Sequence, residues 1–415
     1  MTADSSQFPL VAPFTGERYA DQKRIGDLIA PPYDVISPAE REVYAARDAR
    51  NIVHLTLPEG GDDRYEQAGR LLWQWRDSRA LVPDPKPSVT VLRQEFSAPG
   101  GQRHVRTGVI GGVAVEPFSA DRVKPHEKTH KGPKEDRLAL LRATRSVFET
   151  LFMVTRDSDE KLGELLAAVT EAKPLASAEL LGVVNTVWRV GGNKANSIAA
   201  AAGAEPLYIA DGHHRYETAV AYRSDNPSAD RVPALVVPAG DPGMVVLATH
   251  RTVYGGPLDQ DAFLADLRER FQIRELPPQA NYEEELASVR ERGTAAVVVL
   301  PGGRAAALLL KGGASLGDLP FANEPAVASL DVARVDEIVV KRAQAMAGKG
   351  ARLGYSADPH QVIEEVLQGD ASAGVLLNPT LLEQVMTVAD AGSVMPQKST
   401  YFMPKVPSGL VVMGY

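Results

Sequence analysis

Apolar residues recur along the chain in two rhythms. At intervals of three and four, Tyr65, Ala68, Leu71, Leu72 and Trp75 mark one face and predict a helix over Asp62–Ser78. Phe263, Leu264, Leu267 and Phe271 do the same over Asp259–Phe271, with Asp259 placed to cap the first turn. Asp136–Thr144, Asp331–Met346 and His360–Gln368 carry similar stripes. Between them lie strand-length segments: Val89–Phe96, Arg106–Val115, Leu207–Ala210, Ala234–Pro238, Val245–Thr249, Ala295–Leu300, Ala305–Leu310, Gly374–Leu377 and Gly409–Met413. Pro301-Gly302-Gly303-Arg304 joins two of these into a hairpin. The order of helices and strands is mixed, with no internal repeat. It predicts an α+β fold built on a mixed sheet rather than a regularly alternating parallel one.

The breaks between patterns suggest the organisation. Pro83-Asp84-Pro85-Lys86-Pro87, Gly191-Gly192-Asn193 and Pro277-Pro278 read as linkers. A chain of 415 residues has room for two or three domains. The expected division is 1–150, an α/β region with a basic loop; 151–258, a core around an Asp-Gly-His-His-Arg string; and 259–415, an α/β region with a Lys/Ser/Thr tail loop. The longest apolar runs are strand-length, far short of the ~20 residues of a spanning helix. The first residues have neither a basic nor an apolar signal-peptide region. The expectation is a cytoplasmic enzyme or regulator with no membrane partner.

Composition then removes several chemistries. With no cysteine there is no disulfide, no thiol nucleophile and no thiolate-held metal. A net charge of −8 argues against nucleic acid as the main partner. The phosphate-binding loop of ATPases, the dinucleotide glycine fingerprint and the serine-hydrolase elbow are all missing from the sequence.

The sharpest candidate is Leu207-Tyr208-Ile209-Ala210-Asp211-Gly212-His213-His214-Arg215-Tyr216. An apolar strand stops at Asp211-Gly212 and a helical pattern begins at once. Gly212 permits a tight turn or a close ligand. The first helical amides and the helix dipole favour an anion. His213 and His214 can move protons near neutral pH, and Arg215 can fork onto two phosphate oxygens. The plain alternative is that the histidines cap the helix and Arg215 pairs with Asp211 or Glu217.

A second candidate runs from Arg122 to Arg145. Eight Lys/Arg (122, 124, 128, 131, 134, 137, 142, 145) less three acids (127, 135, 136) give +5 in a chain of −8. Lys131, Lys134 and Arg137 are expected to join the phosphate or nucleotide site, with Gly132-Pro133 marking a loop. His126, Thr129 and His130 are expected on the substrate side. The string His126–His130 also spells a zinc-protease motif, but Pro125 and Gly132-Pro133 bracket too short a helix for it. Three further places are candidates. Thr249-His250-Arg251-Thr252 could bring His250 and Arg251 to the same sheet end. Lys398 and Lys405, in the proline-ruled tail 396–409, could cover an anionic ligand. Tyr33 and Asp34 end the rigid turn Ala30-Pro31-Pro32-Tyr33-Asp34.

The Asp211–Tyr216 string resembles the ParB/sulfiredoxin superfamily, whose members hold nucleotide phosphates at such a helix start. Over nearly its full length the chain also resembles a ParB-related family, domain of unknown function 1015. That resemblance rests on Pro31–Ile36, His126–Pro133, the Asp211–Arg215 string and Met395–Phe402. It implies a ParB/sulfiredoxin-like core with added α/β regions. The nearest characterised type it resembles is free-serine kinase, which moves a phosphoryl group between a nucleotide and serine. Carried over, Asp211, Gly212, His213, His214 and Arg215 would hold phosphates, and Glu127, His213 and His214 would serve catalysis. ADP or ATP, with Mg²⁺, would be the cofactor. The expected activity is phosphoryl transfer on a small hydroxy-amino acid, serine or phosphoserine, in the kinase or phosphatase direction. The alternative is a non-catalytic nucleotide-binding regulator of ParB-like type. Oligomeric state is not legible.

Overall fold

A computed structural model describes residues 8–128, 131–277 and 279–415, except the side chains of 131 and 133. It is an α+β fold with a mixed sheet, and it divides into two compact units. The first comprises 1–125, 129–245 and 402–415; the second comprises 126–128 and 246–401.

The first unit is built on a nine-stranded sheet, counted among the described residues. In chain order its strands are β1 (Val11–Ala12), β2 (Ser88–Ser97), β3 (Arg103–Ala114), β4 (Val123–Lys124), β5 (Leu151–Thr155), β6 (Ala176–Leu180), β7 (Val183–Gly191), β8 (Leu207–Asp211) and β9 (Arg231–Pro238). They lie side by side as β4-β8-β5-β9-β3-β2-β7-β6, with β1 also on β3. The pairs β4–β8 and β5–β9 are parallel, and the others antiparallel. Strands on both sides of residue 150 share this sheet, so the expected boundary there falls within one hydrogen-bonded layer. Helices α1 (Arg64–Asp77), α2 (Lys131–Thr144), α3 (Lys161–Thr170), α4 (Gly192–Ala202) and α5 (His213–Asp225) belong to the same unit.

The core explains the layers. Val89, Val91, Val109, Leu151, Met153, Ile209 and Val236 from the strands meet Leu162, Leu166 and Val169 of α3 and Ala195, Ile198, Ala199 and Ala202 of α4. Each fully buried Leu, Ile or Val is worth roughly 1.5–3 kcal/mol. The alanines of α4 let that helix approach the sheet closely.

In the second unit β10 (His250–Tyr254), β11 (Phe271–Leu276), β12 (Ala295–Leu300), β13 (Arg304–Leu310), β14 (Arg352–Ser356) and β15 (Ala373–Leu377) form an antiparallel sheet ordered β11-β13-β12-β15-β10-β14. The hairpin expected from Pro301–Arg304 is β12–β13.

Two expectations change. The helix expected to reach Phe271 spans Gln260–Leu267, because Phe271 is buried as the first residue of β11 opposite Leu310. Gly409–Met413 is not a regular strand: Gly409 has φ +87°, a left-handed conformation that breaks extension. Among the described residues no helix is long and apolar enough to cross a membrane.

Candidate functional site

Strand β8 is apolar and buried up to Ala210, then shifts register against β5 so that Asp211 faces Phe152. Gly212 follows with φ +99° and stands as N-cap of α5, with no side chain capping the helix. The left-handed turn needs glycine, and a Cβ there would lie 3.1 Å from the Arg215 guanidinium. The sequence therefore turns straight from strand into helix. It delivers His213, His214 and Arg215 in the first turn, with His213 and Arg215 buried.

Asp211 is the centre of a buried ion cluster. Arg215 Nη2 donates to one carboxylate oxygen and Lys405 Nζ to the other. Arg215 Nη1 donates to the carbonyl of Thr150 at 2.9 Å. Burial alone would push the Asp211 carboxyl up, but Lys405 and Arg215, helped by His213, hold it well below the usual carboxylate range. The Arg215 fork is thus committed to Asp211 and Thr150, as in the plain alternative, and Lys405 covers a carboxylate of the chain itself. Lys405 is set by Arg106, which is fully buried against the Phe152 ring at 4.3 Å and donates to the carbonyl of Met403 at 3.1 Å and to that of Pro404. Burial pushes the Arg106 pKa down to about 9.

Helix α2 completes the arrangement. Lys134 pairs with Glu217 at 2.6 Å and Arg142 with Asp225 at 2.7 Å. Eight residues along α2 match eight along α5, so the two helices run in the same direction side by side. Leu138 and Leu141 of α2 pack with Tyr222 of α5. Helix α2 starts three residues before Lys134 and α5 four before Glu217. At ~1.5 Å rise per residue their N-termini are nearly level. Two positive dipole ends thus point the same way, an arrangement that an anion between them stabilises. Gly132-Pro133, expected as a loop, lie inside the first turn of α2, where a proline displaces no helical hydrogen bond.

Behind this end lies a second buried layer. Arg137 stacks on Tyr33 at 4.1 Å, donates to the carbonyl of Thr56 at 2.6 Å and to Asp136 at 2.8 Å, and approaches Glu149 at 3.8 Å. Glu149 accepts the Tyr33 N–H at 2.9 Å. Burial raises the Glu149 carboxyl despite Arg215 and Arg137. Burial also raises the Tyr33 hydroxyl to about 12, with Asp34 and Glu149 adding to it.

The profile of the family described as "Protein of unknown function (DUF1015)" matches residues 11–333. The chain belongs to the DUF1015 family. No curated protein sequence matches it. Among solved structures, it is similar to a free serine kinase in complex with AMP, with TM-score 0.37 and 17% identity over 73% of this chain and 92% of that one. A conserved hypothetical protein from Pyrococcus furiosus gives TM-score 0.35 and 16% identity over 73% and 95%. C-terminally truncated SbnI from Staphylococcus aureus gives 0.38 and 11% over 72% and 85%.

In this DUF1015 chain the other expected site residues are spread. Asp211–Arg215, Lys134, Arg137 and Lys405 lie in the first unit, as does the backbone of Lys131. His126, Glu127, His250, Arg251 and Lys398 lie in the second. Thr129 and His130 lie outside the described residues. His250 and Arg251 do not stand at the end of the β8 sheet. They are buried inside β10, whose neighbours are β14 and β15. His250 Nδ1 accepts the Leu377 N–H at 3.1 Å, and burial, with Arg251 beside it, pushes the imidazole down to about 4. Arg251 pairs with Asp336 at 2.8 Å and donates to the Lys398 carbonyl at 3.0 Å. Glu127 bridges to Met395, and His126 Nε2 lies 3.2 Å from the Thr400 hydroxyl. Among the described residues no group of three His, Asp or Glu is placed to hold a metal.

Sequence reasoning missed Arg106 and Glu149. Neither belongs to a motif; the position of Arg106 beside the apolar run from Val109 is the one available signal.

Proposed function

We propose that the chain is a nucleotide-linked phosphotransferase acting on a small hydroxy-amino acid, serine or phosphoserine, within a ParB/sulfiredoxin-like core. The observation that carries this reading is the pair of level, parallel helix N-termini at Lys131 and His213, one led by the left-handed Gly212. A phosphate there meets first-turn amides and two dipole ends, each worth roughly 0.3–1 kcal/mol and up to ~2 when partly buried. Charge developing on the transferred group is stabilised by groups already in place, which is how phosphoryl-transfer enzymes lower their barrier.

Proton transfer falls to His213. Asp211, held ionised by Arg215 and Lys405, is too weak a base for a substrate hydroxyl, whereas an imidazole works near neutral pH. His213 lies two positions along from that carboxylate, at the start of α5. Both Asp211 oxygens carry cations, so this carboxylate does not suit Mg²⁺ as a resident ligand. A divalent ion enters with the nucleotide as part of the substrate.

The test offers serine with ATP or ADP, and phosphoserine with AMP or ADP, and follows products by phosphorus NMR. Interconversion of serine and phosphoserine that is lost in His213→Gln supports the proposal; no change in any mixture refutes it. Nucleotide binding without turnover would favour a regulatory protein. One feature favours that second reading: Arg215 and Lys405 are both spent on Asp211 rather than offered to a ligand.

A further inference from the structure

A cavity of the first unit lies away from Asp211 and plays no part in the reading above. It encloses about 640 Å³, within the range of small-molecule sites. Asp211 faces Phe152 near the start of β5. The cavity opens beyond the other end, where Pro238 pairs with Thr155 across the parallel strands β9 and β5. Phe152 and Thr155 are three residues apart, ~10 Å along a strand. The crevice outside the carboxyl ends of parallel strands is where α/β sheets take ligands.

Its walls have a definite chemistry. Val105, Leu166, Ala167 and Pro238 form an apolar floor, and Val105 stays exposed there. Arg93 and Arg156 supply positive charge. The Arg93 side chain is 37% exposed, and its ion pair with the half-exposed Glu95, at 3.4 Å, is long enough to be worth little against a ligand. Two acids line the same space but are turned to the backbone. Asp157 accepts the N–H groups of Leu162 and Gly163, both at 2.9 Å. Asp241 accepts those of Gly243 at 2.8 Å and Thr107 at 3.0 Å. Glu160 stands exposed at the rim, where solvent screens it. The loop between strand and helix holds Asp157 and Glu160 at φ +51° and +57°, conformations that non-glycine residues keep where the surroundings demand them.

We propose that this cavity binds a small organic carboxylate, its apolar body on the Val105–Leu166 floor and its anion on Arg93 and Arg156. The exposed part of a guanidinium fork matches a planar carboxylate, which accepts two parallel hydrogen bonds.

The test titrates the full chain with anilinonaphthalene sulfonate, an apolar anion that fluoresces when bound. One saturable site is expected, displaced by phenylacetate and not by the neutral phenylacetamide. Arg93→Gln with Arg156→Gln should weaken dye binding by about tenfold or more, as expected when charge-assisted hydrogen bonds are lost. Gly163→Leu should abolish it without lowering the melting temperature. A Cβ at that helical position meets only the Asp157 carboxylate, at 3.6 Å, so the larger side chain fills the cavity. No saturable binding, equal binding by all three proteins, or displacement by phenylacetamide as strong as by phenylacetate would overturn the proposal.

Discussion

Replacing Lys405 by methionine keeps the length of the side chain and removes its charge. In the native cluster the Asp211 carboxylate is shared by two cations, with side chains only 13% (Asp211), 7% (Arg215) and 16% (Lys405) exposed. Removing one partner of a buried pair usually costs about 3–5 kcal/mol, because the other charge is left desolvated. Here Arg215 remains on the carboxylate, so about 2 kcal/mol is expected at pH 7, roughly half of that figure. All three tryptophans, Trp73, Trp75 and Trp188, lie in the first unit. Urea unfolding followed by their fluorescence therefore reports this unit alone. Asp211→Asn should cost less in the Lys405→Met background than alone, because it then leaves one buried cation, Arg215, without its carboxylate rather than two. The pH course has a definite sign. The depressed carboxyl contributes stability above the unfolded value of ~3.9, and the contribution is lost as pH falls through the folded value. The deficit of Lys405→Met should thus be full at pH 7 and shrink toward pH 3, where the variant's carboxyl is protonated. A Lys405→Met protein within ~0.5 kcal/mol of wild type at pH 7, the range of ordinary surface changes, would show that Lys405 does not stabilise the buried cluster. So would a double variant showing simple additivity.

Three other outcomes follow from named contacts. Gly212→Ala should cost about 1–2 kcal/mol for the left-handed backbone alone, and more because its Cβ crowds Arg215 at 3.1 Å; urea unfolding measures the loss, and phosphate affinity should fall with it. His250 is held near 4 in the fold against an ordinary 6.5, so the folded state resists protonation. Stability from this group is full above about pH 6.5 and declines as pH falls toward 4, by up to ~3 kcal/mol at 1.36 per pKa unit, and His250→Asn should flatten that slope in thermal melts. Lys134→Gln should lower AMP affinity, because it removes the cation paired with Glu217 near the shared helix ends and leaves the local charge more negative; calorimetric titration checks it.

What could be read from the residues follows from which signals are local. The strand, turn and helix around Gly212 were legible because the apolar run, the glycine and the helical spacing are contiguous. Strand β5 was not: Leu151–Val154 is a short run buried on both faces, with no alternation to mark it. Gly191-Gly192-Asn193 has the composition of a linker, whereas it is the tight junction of β7 and α4. Within the candidate site, the residue types at 211–215 and 131–137 pointed to charge, but not to how it is spent. That Arg215 and Lys405 neutralise Asp211 depends on residues 194 apart meeting, a long-range fact that no local pattern encodes. His250 and Arg251 looked like Asp-Gly-His-His-Arg in miniature; tertiary pairing buries them in the other sheet instead.

The paired helix starts are expected to take a phosphate. Equilibrium titration of the full chain with AMP and with adenosine tests it directly. AMP should bind at least about tenfold more tightly, equivalent to ~1.4 kcal/mol from the phosphate alone, and Gly212→Ala with His213→Gln should erase the difference. Equal affinities for the two compounds, or a preference for AMP that survives both substitutions unchanged, would contradict it.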